Sequence, residues 1–107
     1  MYNQLTKKML SKVSMQDAEI FENQKRYSIR DNFSTVEIYV SDTAVSYRVQ
    51  GDGYIVAMTK WLQLILANNE NLKDVTLESL VEAFDLPEIK FRNAVQILEL
   101  IEMINES

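Results

Sequence analysis

The fold is decided by residues 25–50, KRYSIRDNFSTVEIYVSDTAVSYRVQ. Tyr27 and Ile29 alternate with Arg26, Ser28 and Arg30, and Asp31-Asn32 then supplies a turn signal. Residues 33–40 are rich in β-branched and aromatic side chains, with Val36, Ile38 and Val40 alternating against Glu37 and Tyr39 before Ser41-Asp42 closes the run. Val45, Tyr47 and Val49 next alternate with Ala44, Ser46, Arg48 and Gln50. Parallel neighbours need a crossover of roughly a dozen residues or more, and these connections are far shorter, so the stretch predicts a three-stranded antiparallel meander.

On the N-terminal side, residues 2–13 place Leu5, Met9, Leu10 and Val13 at helical spacing, with Lys7, Lys8 and Lys12 on other sides. Residues 14–24 are polar and leave a short helical turn and a loop both open. On the C-terminal side, Gly51-Asp52-Gly53 holds both glycines of the chain and reads as a hard strand-to-helix turn. Residues 54–67 are apolar around most of a helical circumference, leaving Thr59, Lys60 and Gln63 for water, which predicts a central buried helix. After a polar connection, Thr76 is a fitting N-cap for a short helix carrying Leu77, Leu80, Val81 and Phe84. Pro87 suits the first turn of a last helix, whose stripe of Ala94, Ile97, Leu98, Ile101 and Ile104 opposes Gln96, Glu99, Glu102 and Glu106. Helix, three strands and three helices in that order predict an α+β domain with helices packed on one face of the sheet.

The chain's 107 residues, 47% hydrophobic and 25% charged, suit a single domain over residues 1–107. Cysteine and histidine are both absent, which removes disulfides, thiolate and imidazole metal ligands, and Ser-His or Cys-His catalysis. A formal net charge of −5, with basic residues clustered only as Lys7-Lys8 and Lys25-Arg26, argues against nucleic acid as a partner. The longest apolar stretch, residues 61–67, is interrupted by Gln63 and far short of the roughly 20 residues that span a bilayer. No signal-peptide segment forms after Lys7 and Lys8, which points to a cytoplasmic address.

Catalysis has the weakest case, because no G-x-S-x-G elbow, Walker loop or S-x-x-K box occurs. Asp52 in the middle of the glycine turn argues against a phosphate cradle there. Residues 70–74 lack the acidic spacing of a calcium loop. Met9, Met15, Met58 and Met103, and Tyr54 with Trp61, read as core rather than as a ligand shelf. No catalytic residue, metal or cofactor is expected.

The element order and three stretches resemble the NifU/IscU scaffold of iron-sulfur cluster assembly and its fold relative SufE, over most of the chain. Tyr2-Asn3-Gln4-Leu5 is similar to the tyrosine-bearing helix that opens those scaffolds, and Val36-Glu37-Ile38-Tyr39-Val40 to the strand after the first cluster cysteine. Gly51-Asp52-Gly53 resembles their G-C-G turn. Leu86-Pro87-Glu88-Ile89-Lys90 with Phe91-Arg92-Asn93 resembles the L-P-P-V-K-x-H-C stretch, which carries the chaperone-recognition loop and the third cysteine. Arg92-Asn93-Ala94 is also similar to the R-x-N-G segment of SufE, and Thr59-Lys60-Trp61-Leu62 falls where its K/R-G-L occurs.

The resemblance implies that Arg30, Asp52 and Asn93 stand at the three cluster-cysteine positions, Asn32 at the neighbouring aspartate and Arg92 at the histidine. With no soft ligand left, such a chain neither grips a cluster by thiolate nor accepts sulfur covalently. An ion pair of Asp52 with Arg30 or Arg92 is expected in place of the metal. The implied function is an accessory or regulatory protein that binds a cysteine desulfurase or a heat-shock chaperone. Leu86, Pro87, Glu88, Ile89 and Lys90 would form the contact loop, Leu86 and Ile89 anchoring it while Glu88 and Lys90 are exposed. The alternative is an acidic immunity or antitoxin-like protein that neutralises a basic partner through Glu99, Glu102 and Glu106.

Overall fold

The structure, a computed structural model, describes residues 2–106. Helix α1 (Gln4–Lys12) and a 3-10 turn (Met15–Ala18) precede strands β1 (Lys25–Arg30), β2 (Thr35–Val40) and β3 (Val45–Gln50). Helices α2 (Gly53–Ala67) and α3 (Leu77–Phe84), a second 3-10 turn (Glu88–Lys90) and α4 (Phe91–Asn105) complete the chain. The strands form one antiparallel sheet in the order β1-β2-β3, as the alternation predicts. Its register sets Tyr27, Ile38 and Tyr47 side by side, with Ile29, Val36 and Val49 in the next row. That apolar face is covered by α2, which packs on β3 and β2, and by α4, which packs on β1. Helix α1 lies on α2 and α3 on α4, so the domain is α+β with its helices packed against the sheet.

The core lies between sheet and helices, where Val36, Ile38, Ile55, Met58, Leu62, Leu80, Phe84, Ile97 and Leu100 are buried. Each such side chain contributes about 1.5–3 kcal/mol of transfer free energy. Capping fixes where the helices begin. The Asn3, Asp52 and Thr76 side chains accept from the backbone N–H of Thr6, Ile55 and Ser79, respectively. The Asn3 side chain also donates to the Ala83 carbonyl at 2.9 Å, tying the start of α1 to the end of α3.

Several expectations are corrected. Thr59 and Lys60 are buried rather than wet: Thr59 donates to the Ile55 carbonyl one turn back, and Lys60 finds the largely covered Asp17 carboxylate. Gln96 is buried too, because Ser34 reaches it from the β1–β2 turn. Met9 and Met58 are core, whereas Met15 is exposed and Met103 partly so. Neither glycine of residues 51–53 adopts positive φ; closeness is what they provide. A Cβ on Gly51 would lie 2.5 Å from an Ile55 methyl, and one on Gly53 2.1 Å from the Tyr2 hydroxyl.

Candidate functional site

One end of the molecule gathers three turns that are distant in sequence: residues 31–34 between β1 and β2, residues 51–53 before α2, and residues 86–93 leading into α4. The first turn is shaped by Asp31, whose Oδ1 accepts from the N–H groups of Phe33 at 2.8 Å and Ser34 at 2.9 Å. In the second, Asp52 caps α2, with Oδ1 accepting from the Ile55 N–H at 3.1 Å. The third turns sharply after Asp85, whose φ of 50° is left-handed, and Leu86 is buried while Pro87 and Glu88 are exposed.

Side chains from the three turns then meet. Lys90 Nζ lies 2.5 Å from Asp52 Oδ2, and Asn93 Nδ2 donates to Asp52 Oδ1 at 3.4 Å. Arg92 lies 3.3 Å from Asp31 Oδ2, and its guanidinium sits 4.5 Å from the centre of the Phe33 ring. Between them is a cleft of about 170 Å³, with Phe33, Ser34, Asp52, Ile89, Lys90 and Asn93 in its walls. Phe33 is 70% exposed and Ile89 79%. Two large apolar side chains thus flank a polar, ion-paired floor.

The electrostatics follow from these partners. Burial pushes the Asp52 carboxyl up, but the Lys90 ammonium and the Ile55 N–H outweigh it and hold the group below the ordinary aspartate range. The backbone N–H groups of Phe33 and Ser34, with Arg92 adding to them, likewise hold Asp31 low. Both carboxylates are therefore charged at neutral pH, and each is committed to a cation.

Of the positions singled out from the sequence, Asp52, Asn93 and Lys90 are in direct contact, and Arg92 borders the same cleft. Asn32 is exposed at the tip of the first turn, and Arg30 is exposed at the end of β1. The expected pairing of Asp52 with an arginine is corrected. Lys90, two residues before Arg92, reaches Asp52, and the Arg92 guanidinium is held by Asp31 and Phe33 instead. Ile89 does not anchor its loop but projects from it, because Leu86 alone fills the buried position. Lys90 in turn is half-buried by its ion pair.

Phe33, Asp31, Ser34 and Gln96 were not apparent as site residues, since no motif marks them. The signal available was Phe33 itself, an aromatic inside a polar D-N-F-S turn. Ser34 donates to Gln96 Oε1 at 2.6 Å and has no base beside it, so it is not an activated nucleophile. Among the described residues, no group of three or more His, Cys, Asp or Glu side chains is arranged to hold a metal ion. Nor, among them, is any helix long and apolar enough to cross a membrane.

A second polar cluster lies apart from this end. Lys60 Nζ contacts Asp17 Oδ1 at 3.1 Å, Asp17 Oδ2 at 3.0 Å and Gln63 Oε1 at 2.8 Å, and Tyr47 donates to Asp17 at 2.7 Å. Burial and the Asp17 carboxylate push the Tyr47 hydroxyl well above its ordinary value. At Asp17, burial acts upward, but Tyr47, the Ser14 N–H and Lys60 hold the carboxyl low. The cluster ties the first 3-10 turn to β3 and α2. No protein-family model matches the sequence, and no curated protein matches it.

Proposed function

We propose that the domain acts by binding a protein partner through the end formed by residues 31–34, 51–53 and 86–93. The observation that carries this reading is the pair of exposed side chains, Phe33 and Ile89, on either side of a cleft whose charges are already paired. Exposed apolar anchors over a polar floor are what a protein interface uses, with the aromatic supplying most of the contact energy. No nucleophile with a base, and no uncommitted carboxylate pair, stands in the cleft to support catalysis instead.

The resemblance to cysteine-bearing cluster scaffolds names the partner class, a cysteine desulfurase or a heat-shock chaperone. It is supported by the meeting of Asp52, Asn93 and Lys90. The role is accessory or regulatory, exercised by occupying a partner's surface. The test is capture of purified desulfurase and chaperone by the wild type and by two variants, Phe33→Ala with Ile89→Ala and Pro87→Ala with Lys90→Ala. The reading expects capture by the wild type, at least about tenfold weaker in the first variant. Equal capture by all three, or none by the wild type, overturns it.

A further inference from the structure

Strand β1 is an edge of the sheet, paired only with β2. The Asp31 N–H donates to the Ser34 carbonyl at 2.9 Å, so Asp31 and Ser34 form the hydrogen-bonded pair that closes the turn. Antiparallel pairs alternate between bonded and non-bonded, so the register Arg30↔Thr35, Ser28↔Glu37 and Arg26↔Tyr39 falls on the non-bonded pairs. The backbone N–H and C=O groups of Arg26, Ser28 and Arg30 therefore point away from β2, along the open edge. Beneath that edge runs α4. Ile29, Arg30, Val95, Gln96, Glu99 and the ion-paired Asp31 and Arg92 line a groove of about 250 Å³ between strand and helix.

Two further features mark the groove. Gln96 is buried, its Oε1 accepts from Ser34, and its Nε2 has no hydrogen-bond partner among the described residues. A carbonyl brought into the groove beside Gln96 would give this donor the acceptor it lacks. The edge is also cationic: Arg26 and Arg30 project on the outer sheet face, Lys25 starts the strand, and β1 contains no acidic residue. Arg30 has no ion pair among the described residues, and Arg26 has one, with Glu37 at 2.6 Å.

We infer that the β1 edge takes an extended acidic peptide segment of a partner protein as a fourth strand, lying in the groove over α4. Residues of the incoming strand opposite Arg26, Ser28 and Arg30 share the outer face with the arginines and carry carboxylates. Residues between them face Ile29 and Val95 and are apolar, which also keeps the partner's carboxylates away from Glu99. The Gln96 amide then donates to a carbonyl of the added chain. A second copy of this chain is disfavoured, because antiparallel β1 strands paired about Ser28 would set Arg26 of each copy opposite Arg30 of the other on the same face. The groove adjoins the Phe33–Ile89 surface, sharing Arg92 with it, but the strand-pairing edge of Arg26, Ser28 and Arg30 lies outside that surface.

The test is titration of the ¹⁵N-labelled full chain with acetyl-Glu-Val-Glu-Val-Glu-Val-amide, and with the same peptide carrying lysine for glutamate. The inference expects the acidic peptide to slow exchange of the Arg26, Ser28 and Arg30 amides and to shift the Gln96 side-chain amide. The lysine peptide should bind about tenfold more weakly. Ser28→Pro removes one outward N–H at an edge position that tolerates proline and should abolish binding. Arg30→Glu, which leaves the backbone intact if the proline variant misfolds, should narrow or reverse the preference between the peptides. Equal binding of the two peptides, amide protection that maps elsewhere, or a dimer joined through β1 without peptide overturns the inference.

Discussion

Two lysine–aspartate pairs sit in very different surroundings. The Lys60–Asp17 pair is nearly closed to water, with side chains 7% and 12% exposed, whereas Lys90 and Asp52 are each 32% exposed. In the first, Tyr47 and Gln63 complete the hydrogen bonding of both charges, and the whole unit fastens residues 15–18 to the body of the fold. The second is shared with a helix cap and an amide, and it lies partly open to solvent. Burial, not the pairing itself, separates the pair that fastens the fold from the pair that we propose serves recognition. A buried pair that loses one member leaves an uncompensated charge in a poor solvent, while an exposed pair can exchange its partner at little cost.

The sharpest way to break this contrast is to remove one cation at a time. Lys60→Met should lower unfolding stability by about 3 kcal/mol, because Asp17 remains buried without its ammonium. For a domain of this size that is a fall in Tm of more than about 10 °C. Urea unfolding gives the number directly, and a loss below about 1 kcal/mol would place the two pairs in one class. An intermediate effect is expected at Asp52. Asp52→Ala loses both cap and ion pair, costing about 1–2 kcal/mol, whereas Asp52→Asn keeps a capping oxygen and costs less than about 1. The same urea curves should rank them in that order. Smallest is Lys90→Ala, expected within about 0.5 kcal/mol of the wild type.

Acid sharpens the comparison in another way. Asp17 has a lowered pKa in the folded chain, so its contribution is fully present above the ordinary aspartate range and is lost as pH falls through the lowered value. Thermal melts at falling pH should therefore show the wild type losing stability over that range. Asp17→Asn, already weaker at neutral pH, should show a shallower decline. Parallel curves would mean that Asp17 is not held low.

The sequence carried the architecture because strand alternation and helical periodicity are local, and β1, β2, β3, α2 and α3 all lie where their patterns place them. What it hid were contacts between residues far apart. Lys60 reads as a wet position on an apolar helix until Asp17, 43 residues earlier, is brought beside it. Gln96 sits on the polar side of its helix by pattern, yet Ser34 crosses from the sheet to bury it. At the end surface, the motif stretches set Asp52 and Asn93 among neighbouring positions, and those two do meet, but that Lys90 joins them was not legible. Lys90 and Arg92 differ by two residues, and only the 3-10 turn of Glu88–Lys90 decides which cation reaches Asp52. Ile89 was misjudged for the same reason, since that turn directs it outward.

The account depends most on the claim that the Phe33–Ile89 end recognises a protein while contributing little to folding. Calorimetric titration of a purified cysteine desulfurase and of a heat-shock chaperone with the wild type and with Ile89→Asp, alongside Tm for both proteins, tests it most directly. The account predicts that the wild type binds one of them, and that the variant loses binding while its Tm stays within about 2 °C. Undiminished binding by Ile89→Asp, no binding by the wild type to either partner, or a large fall in Tm would contradict it.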